Sequence, residues 1–343
     1  MHLALACEYA PIEAIIPRAL QNPVPTLPPK DLAARYRGAL LGLACGDATG
    51  TALEFRPRGT FAPIADMVGG GPFGLAAGQW TDDTSMALCL AESLLTKNGF
   101  DAAHQMGLYT NWWQWGYLSA TGSCFDIGLT VRDALTRFMQ TGEPYAGSSD
   151  PRSAGNGSLM RLAPVVLFYY PARDEALSYC AKSSRTTHAA PEAIECCTLL
   201  GTILCNALDG LPKEQILDAG ELALDEPRVQ ALARGAYLER AEEAIFGSGY
   251  AVHSLEAALW CFARTSDFRS AVLKAANLGD DADTTAAIVG QIAGAYYGDA
   301  GIPPDWLGKL YMGPVIAEMA SALLDAAQRR AQPGPVGVAG GEH

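Results

Sequence analysis

Two short acidic segments, far apart in the chain, carry the residue types best suited to chemistry. The first is Gln79-Trp80-Thr81-Asp82-Asp83-Thr84-Ser85 and the second Asn277-Leu278-Gly279-Asp280-Asp281-Ala282-Asp283-Thr284-Thr285. Carboxylates and hydroxyls set this close are hard oxygen ligands of the kind that Mg²⁺ and Mn²⁺ prefer. The competing reading is helix capping, because Asp, Thr and Ser side chains satisfy the orphan N–H groups of a helix start. Each segment has more acid than one cap can use. Asp82 and Asp83 are adjacent, so only one can stand at the N-cap, and Asp280, Asp281 and Asp283 crowd the second segment. Like charges held so close repel unless a cation or a proton lies between them. If the fold joins the two helix starts, they form a site for one or two divalent ions.

The elements that must position these groups read as helices. Apolar residues recur at three-to-four spacing over Asp31 to Ala48, Thr84 to Leu95, Ala102 to Leu118, Ile127 to Met139, Pro191 to Leu208, Ser254 to Ala263 and Thr284 to Tyr297. Gly and Pro mark the boundaries, strand-like alternation is nearly absent, and Val165 to Tyr170 fits either helix or strand. Several helices are apolar around most of their girth, which calls for a buried central set. The expectation is a single compact all-α, multi-helix domain over residues 31–330. A Pro-broken N-terminal arm or linker (1–30) precedes it, and a Gly/Pro-rich tail (331–343), expected to be disordered, follows.

The 343 residues are 49% hydrophobic and 18% charged, enough to bury a large core, and the formal net charge of −13 argues against a nucleic-acid partner. Nine cysteines follow no C-x-x-C spacing and read as buried reduced thiols of a cytoplasmic protein. Residues 1–29 lack the basic start and cleavage pattern of an export signal. No apolar run reaches the ~18 residues of a membrane span.

A longer series of motifs accompanies the acids. Arg37-Gly38-Ala39-Leu40-Leu41-Gly42-Leu43-Ala44-Cys45-Gly46-Asp47-Ala48-Thr49-Gly50 is followed by Glu54, then by the first acidic segment and by Cys124-Phe125-Asp126-Ile127-Gly128. Gly155-Asn156-Gly157-Ser158-Leu159-Met160-Arg161, Thr187-His188, Gly249-Tyr250-Ala251-Val252, Leu255-Glu256-Ala257-Ala258-Leu259-Trp260 and the second acidic segment complete it. In this order, from Tyr36 to Tyr297, the chain resembles the ADP-ribosylglycohydrolases. That group includes the dinitrogenase-reductase-activating glycohydrolase and the ADP-ribosyl-arginine and ADP-ribosyl-serine hydrolases.

The resemblance implies an all-α fold around a dinuclear Mg²⁺ site, with Mn²⁺ as the other option. Its metal ligands would be Thr81, Asp82, Asp83, Asp281, Asp283 and Thr284, with Asp280 in a supporting or capping place. The implied activity is removal of ADP-ribose from mono-ADP-ribosylated protein side chains, with arginine linkage slightly favoured, by water attack at C1″. Glu54 is given a gating or acid/base role, against a plain surface glutamate at a helix end. Asp126 is given a proton-donor role, against an N-cap for a helix from Ile127. Asp47 is expected to steady a turn between Gly46 and Gly50 or to support the metals. The Gly155–Arg161 stretch would receive the diphosphate, with Gly128, Asn156, Gly157, Ser158, Met160, Arg161, His188 and Tyr250 as substrate-binding residues; a plain turn is the alternative. Trp112, Trp113 and Trp115 are read as packing residues rather than an adenine platform. Two other functions fit the same motifs: hydrolysis of another ribosylated small molecule or nucleic-acid end, and a non-catalytic binding or immunity protein on this fold. The N-terminal arm is a further expected contact for a partner protein.

Overall fold

The computed structural model describes residues 29–332. The expected arm and tail therefore lie, but for their innermost residues, outside the described residues. Fourteen α-helices follow in order: α1 (Pro29–Gly50), α2 (Asp82–Lys97), α3 (Ala102–Trp115), α4 (Leu129–Thr141), α5 (Ala163–Tyr169), α6 (Arg173–Arg185), α7 (Pro191–Leu208), α8 (Lys213–Ile216), α9 (Pro227–Ala233), α10 (Ala251–Ala263), α11 (Phe268–Ala276), α12 (Ala282–Tyr297), α13 (Pro304–Lys309) and α14 (Gly313–Ala331). Among the described residues there is no strand beyond three isolated bridges. The ambiguous Val165 to Tyr170 stretch falls almost wholly within α5.

The centre is the pair α1 and α12, whose mutual contact exceeds that of any other two elements. α1 carries glycine at every fourth position, and a Cβ at Gly38, Gly42, Gly46 or Gly50 would collide with the backbone of Gly294, Gly290, Ala286 or Ala282 in turn. The two backbones thus touch along an antiparallel seam that only residues without bulk allow. Every residue from Ala282 to Ala295 of α12 is buried. Helices α2, α5, α7, α10, α11 and α14 pack around the pair and bury the apolar faces that the periodicity marks.

This seam corrects one expectation: Gly46 to Gly50 is not a turn but the end of α1. The seam also sets the start of α12, with its acids, against the end of α1. Gln291, buried on α12, ties the segment after Asn156 to the same centre. Its Oε1 accepts from Ala163 N at 2.9 Å, and its Nε2 donates to Leu159 O at 3.2 Å and Met160 O at 3.0 Å. Of the three tryptophans, Trp112 is in the core, Trp113 half-buried and Trp115 exposed, in keeping with packing and rim positions.

Candidate active site

The starts of α2 and α12 meet. Thr81 Oγ1 lies 3.4 Å from Asp83 Oδ2 and 3.3 Å from Asp283 Oδ2, and Thr284 Oγ1 lies 3.4 Å from Asp83 Oδ2. A carboxylate oxygen from each of Glu54, Asp126 and Asp283 falls within 4.8 Å of the others. Asp82, Asp281 and Thr284 line the same cavity, which encloses about 410 Å³.

The capping alternative can now be judged. α2 has Thr81 at its N-cap, yet no side-chain cap bond comes from there. The cap is supplied from α1. Asp47 Oδ1 accepts from Thr81 N at 2.9 Å and from Thr81 Oγ1 at 2.9 Å. Asp47 Oδ2 accepts from Thr84 N at 3.0 Å and from Thr84 Oγ1 at 2.6 Å. One fully buried carboxylate thus satisfies four donors and leaves Asp82 and Asp83 free of capping duty. Burial lifts the Asp47 pKa to about 6, while the bonds from both threonines hold it lower than burial alone would. Composition and motif gave no sign of this arrangement, because donor and acceptor stand on different helices.

Burial dominates the electrostatics of the cluster. Asp82, Asp83 and Asp283 have pKa values well above the usual carboxylate range, through desolvation first and their neighbours' charges second. Desolvation and the charge of Asp126 push Glu54 up to about 10, and desolvation followed by Asp281 lifts Asp126 to about 7. Burial raises Asp281 too, although Asn156 Nδ2 donates to its Oδ2 at 2.8 Å. Glu54 Oε2, Asp83 Oδ1 and Asp283 Oδ1 are buried with no hydrogen-bond partner among the described residues. Buried acceptors of this kind are costly unless something positive or protonated meets them. A divalent cation with oxygen preference fits that need.

Backbone strain gathers at the same place. Phe55, Asp126 and Asp280 adopt φ values of 60°, 58° and 57°, in the left-handed region. For a bulky residue such as Phe55 this costs roughly 1–2 kcal/mol. Asp126 is therefore not the N-cap of α4; that place belongs to Gly128, and the helix starts at Leu129 rather than Ile127. Freed from capping, Asp126 faces the cavity with Gly128 and the first turn of α4. Glu54 is buried, which removes the surface-glutamate reading. Asp280 does not cap α12 either; Asp281 holds that position. Asp280 instead joins two loops, accepting from Phe55 N at 2.7 Å and donating its N–H to Arg56 O at 2.9 Å.

The expected substrate-binding residues divide. Gly128, Asn156, Gly157, Met160 and His188 line the cavity. Ser158 does not: it is buried behind the turn, with Ser184 Oγ at 2.9 Å and Cys197 Sγ at 3.3 Å. Tyr250 faces a neighbouring cleft, where its hydroxyl bonds Glu192 and Arg228. Arg161 is fully buried and lies over the Tyr109 ring at 4.7 Å, so it does not reach the cavity. It acts at one remove. Arg161 Nη2 donates to Thr187 Oγ1 at 2.7 Å, and that hydroxyl lies 2.8 Å from His188 Nδ1. The Thr187 hydroxyl thus stands between the guanidinium and the imidazole and fixes the orientation of the ring. Burial, assisted by the Arg161 charge, lowers the His188 pKa to about 3, so the ring is neutral. Its Nε2 edge abuts Gly155 and Gly157, where a Cβ would come within 3.2 Å.

Comparison with known proteins shows the family. The family model described as ADP-ribosylglycohydrolase matches residues 28–333. The chain belongs to the ADP-ribosylglycohydrolase family. It is 46% identical over 319 residues to the ADP-ribosylarginine hydrolase Tri1 of Pseudomonas putida (strain GB-1), covering 93% of this chain and 85% of that protein. It is 32% identical over 282 residues to the ADP-ribosyl-[dinitrogen reductase] glycohydrolase of Rhodospirillum rubrum, covering 81% and 90%. A solved structure described as an ADP-ribosylglycohydrolase-related protein complex superposes with a TM-score of 0.77 at 44% identity, covering 87% of this chain and 99% of that one. No helix among the described residues is long and apolar enough to cross a membrane.

Proposed function

We propose that this family member hydrolyses the bond between ribose C1″ and an acceptor side chain on mono-ADP-ribosylated proteins, with arginine as the acceptor. The observation that carries the reading is the buried, unsatisfied carboxylate cluster assembled from two distant helix starts. The arginine assignment draws on the relatives named ADP-ribosylarginine hydrolase, at 46% and 40% identity.

Thr81, Asp82, Asp83, Asp281, Asp283 and Thr284 would hold one or two Mg²⁺ or Mn²⁺ ions. When bound, such ions supply positive charge that attracts ribose hydroxyls and makes water more acidic. The remaining work falls to this chain's side chains. Asn156 Nδ2 holds Asp281 in place. The N-terminal turn of α4 would present backbone N–H groups to a diphosphate, beside the Gly155–Gly157 turn and neutral His188. Asp126, lifted above the ordinary carboxylate range by burial, is placed to give a proton to the departing acceptor nitrogen as the C1″–N bond breaks, and to regain one from the water whose oxygen adds to C1″. Buried Glu54, one residue from the strained Phe55, would steer that water. The eight cysteines among the described residues are free, which suits a reducing cytoplasm. In domain terms, we place the catalytic unit at 31–330 and propose residues 1–30 as a contact for a partner protein.

The test is release of ADP-ribose from proteins modified through arginine or through serine, with Mg²⁺, with Mn²⁺ and with chelator. Metal-dependent release from the arginine-linked substrate is the expected result. Release from neither, with metal still bound, would move the assignment to another ribosylated compound.

A further inference from the structure

Phe55 is the least explained residue at the cavity. It follows Glu54 directly, occupies the left-handed region where glycine or asparagine is favoured, and leaves 65% of its surface exposed. Nothing in the folded chain accounts for both costs, since an exposed phenylalanine buries little and the backbone is strained to hold it.

The loop that carries it is fixed. Beyond the paired backbone bonds with Asp280, Arg58 donates to Glu242 O at 2.7 Å, to Leu278 O at 3.3 Å and to Ile245 O. Gly279 allows close approach, because a Cβ there would strike Arg56 O and come within 2.9 Å of the Phe61 ring. The strained residue therefore turns Glu54 inward and Phe55 outward by construction. Phe55 in turn meets the edge of Phe73 at 6.3 Å, and Phe73 lies 5.1 Å from Phe125, the neighbour of Asp126. An aromatic row thus links the residues next to Glu54 and Asp126, and its Phe55 end lines the cavity.

We propose that Phe55, backed by Phe73 and Phe125, is the residue that recognises the acceptor side chain, stacking on the planar guanidinium of the modified arginine. This rests on the arginine reading above and deepens it. The chemistry is complementary: a guanidinium is planar, cationic and weakly hydrated, and favours an aromatic face close to carboxylates. The glycine turn and His188 line the same cavity and are suited to the anionic half of the substrate. A rigid aromatic is also a better anchor than a mobile one, because less conformational freedom is lost on binding.

The experiment compares wild type with Phe55→Ala, Phe55→Leu and Phe55→Tyr. It measures kcat and KM on a protein ADP-ribosylated at arginine, affinity for free ADP-ribose, which lacks the acceptor, and thermal melting. Phe55→Ala is expected to lower kcat/KM by about three- to tenfold, mainly through KM. Affinity for ADP-ribose should hold. Leucine should lose as much as alanine, and tyrosine should retain most of the wild-type value. Equal loss of ADP-ribose affinity would overturn the proposal, placing Phe55 against the nucleotide or showing that the Glu54 loop had shifted. Full rescue by leucine would refute stacking, and unchanged kcat/KM in an active wild-type background would refute any acceptor role. Wild type inactive on the arginine-linked protein would overturn the acceptor reading itself, and this inference with it.

Discussion

Replacing Asp283 with asparagine should stabilise the metal-free protein while removing its response to divalent ions. Asp283 is buried, and a carboxylate oxygen of it lies within 4.8 Å of one from Glu54 and one from Asp126. At that distance and an effective dielectric of 20, two ionised carboxylates repel by about 3.5 kcal/mol. Partial protonation spares the protein some of this, so the expected relief is roughly 2 kcal/mol, or a rise in Tm of roughly 3 °C in a domain of this size. Asparagine keeps the oxygen that faces the Thr81 hydroxyl at 3.3 Å. The pH dependence has a definite sign. Folded-state pKa values here are raised, to about 7 for Asp126 and about 10 for Glu54, against ordinary values of 3.8 and 4.5. Their stabilising contribution is complete below the unfolded values and is lost as pH rises through the folded ones. Scanning fluorimetry in chelator should show the gain at pH 8 and its disappearance near pH 4. Excess Mg²⁺ or Mn²⁺ should raise the Tm of wild type much more than that of Asp283→Asn. A variant less stable than wild type at pH 8 in chelator would refute the reasoning, since it would make Asp283 a structural partner rather than a charge awaiting a cation.

Asp47→Ala strands four buried donors at the start of α2, and urea unfolding should show a loss of about 3 kcal/mol or more with weakened metal response. Gly42→Ala drives a methyl into Gly290 O, so a loss of about 1–3 kcal/mol or insoluble expression is expected, whereas alanine at the unobstructed Gly107 should change stability little. His188 has a depressed folded pKa of about 3 against 6.5, so its contribution is present above pH 6.5 and lost as pH falls toward 3. Relative to His188→Gln, wild type should lose about 3 kcal/mol between pH 7 and pH 4, measured by denaturant titration at both.

The helices most legible from periodicity were those with long apolar stripes: the range expected for α7, Pro191 to Leu208, matches its observed bounds. The two acid clusters were legible as more than caps because their charge exceeded any capping need, and the structure brings their oxygens together. Individual roles were harder to read. The N-cap alternative for Asp126 falls away because its left-handed backbone and the following Gly128 place the helix start further on. Arg161 reads as a substrate contact by its place beside a glycine turn, yet its side chain runs inward to Thr187, a partner 26 positions away. Asp47 reads from sequence as support for a local turn or for the metals, because its partners lie 34 and 37 positions on, where spacing along one helix says nothing. A signal for the glycine seam was present all along: glycines at 38, 42, 46 and 50 share one helix face.

That seam also dictates a timetable. Its two halves are separated by most of the chain, about 230 residues between Gly50 and Ala282, which takes roughly 12–46 s to synthesise at 5–20 residues per second. Throughout that interval the glycine face of α1 has no mate, and Asp281 and Asp283 have not been made. The acidic site can therefore assemble only after α12 has been made, in the same event that closes the core. A ribosome-bound chain stopped before α12 should bind chaperones and no divalent cation, and a chain extended past Tyr297 should begin to do the reverse.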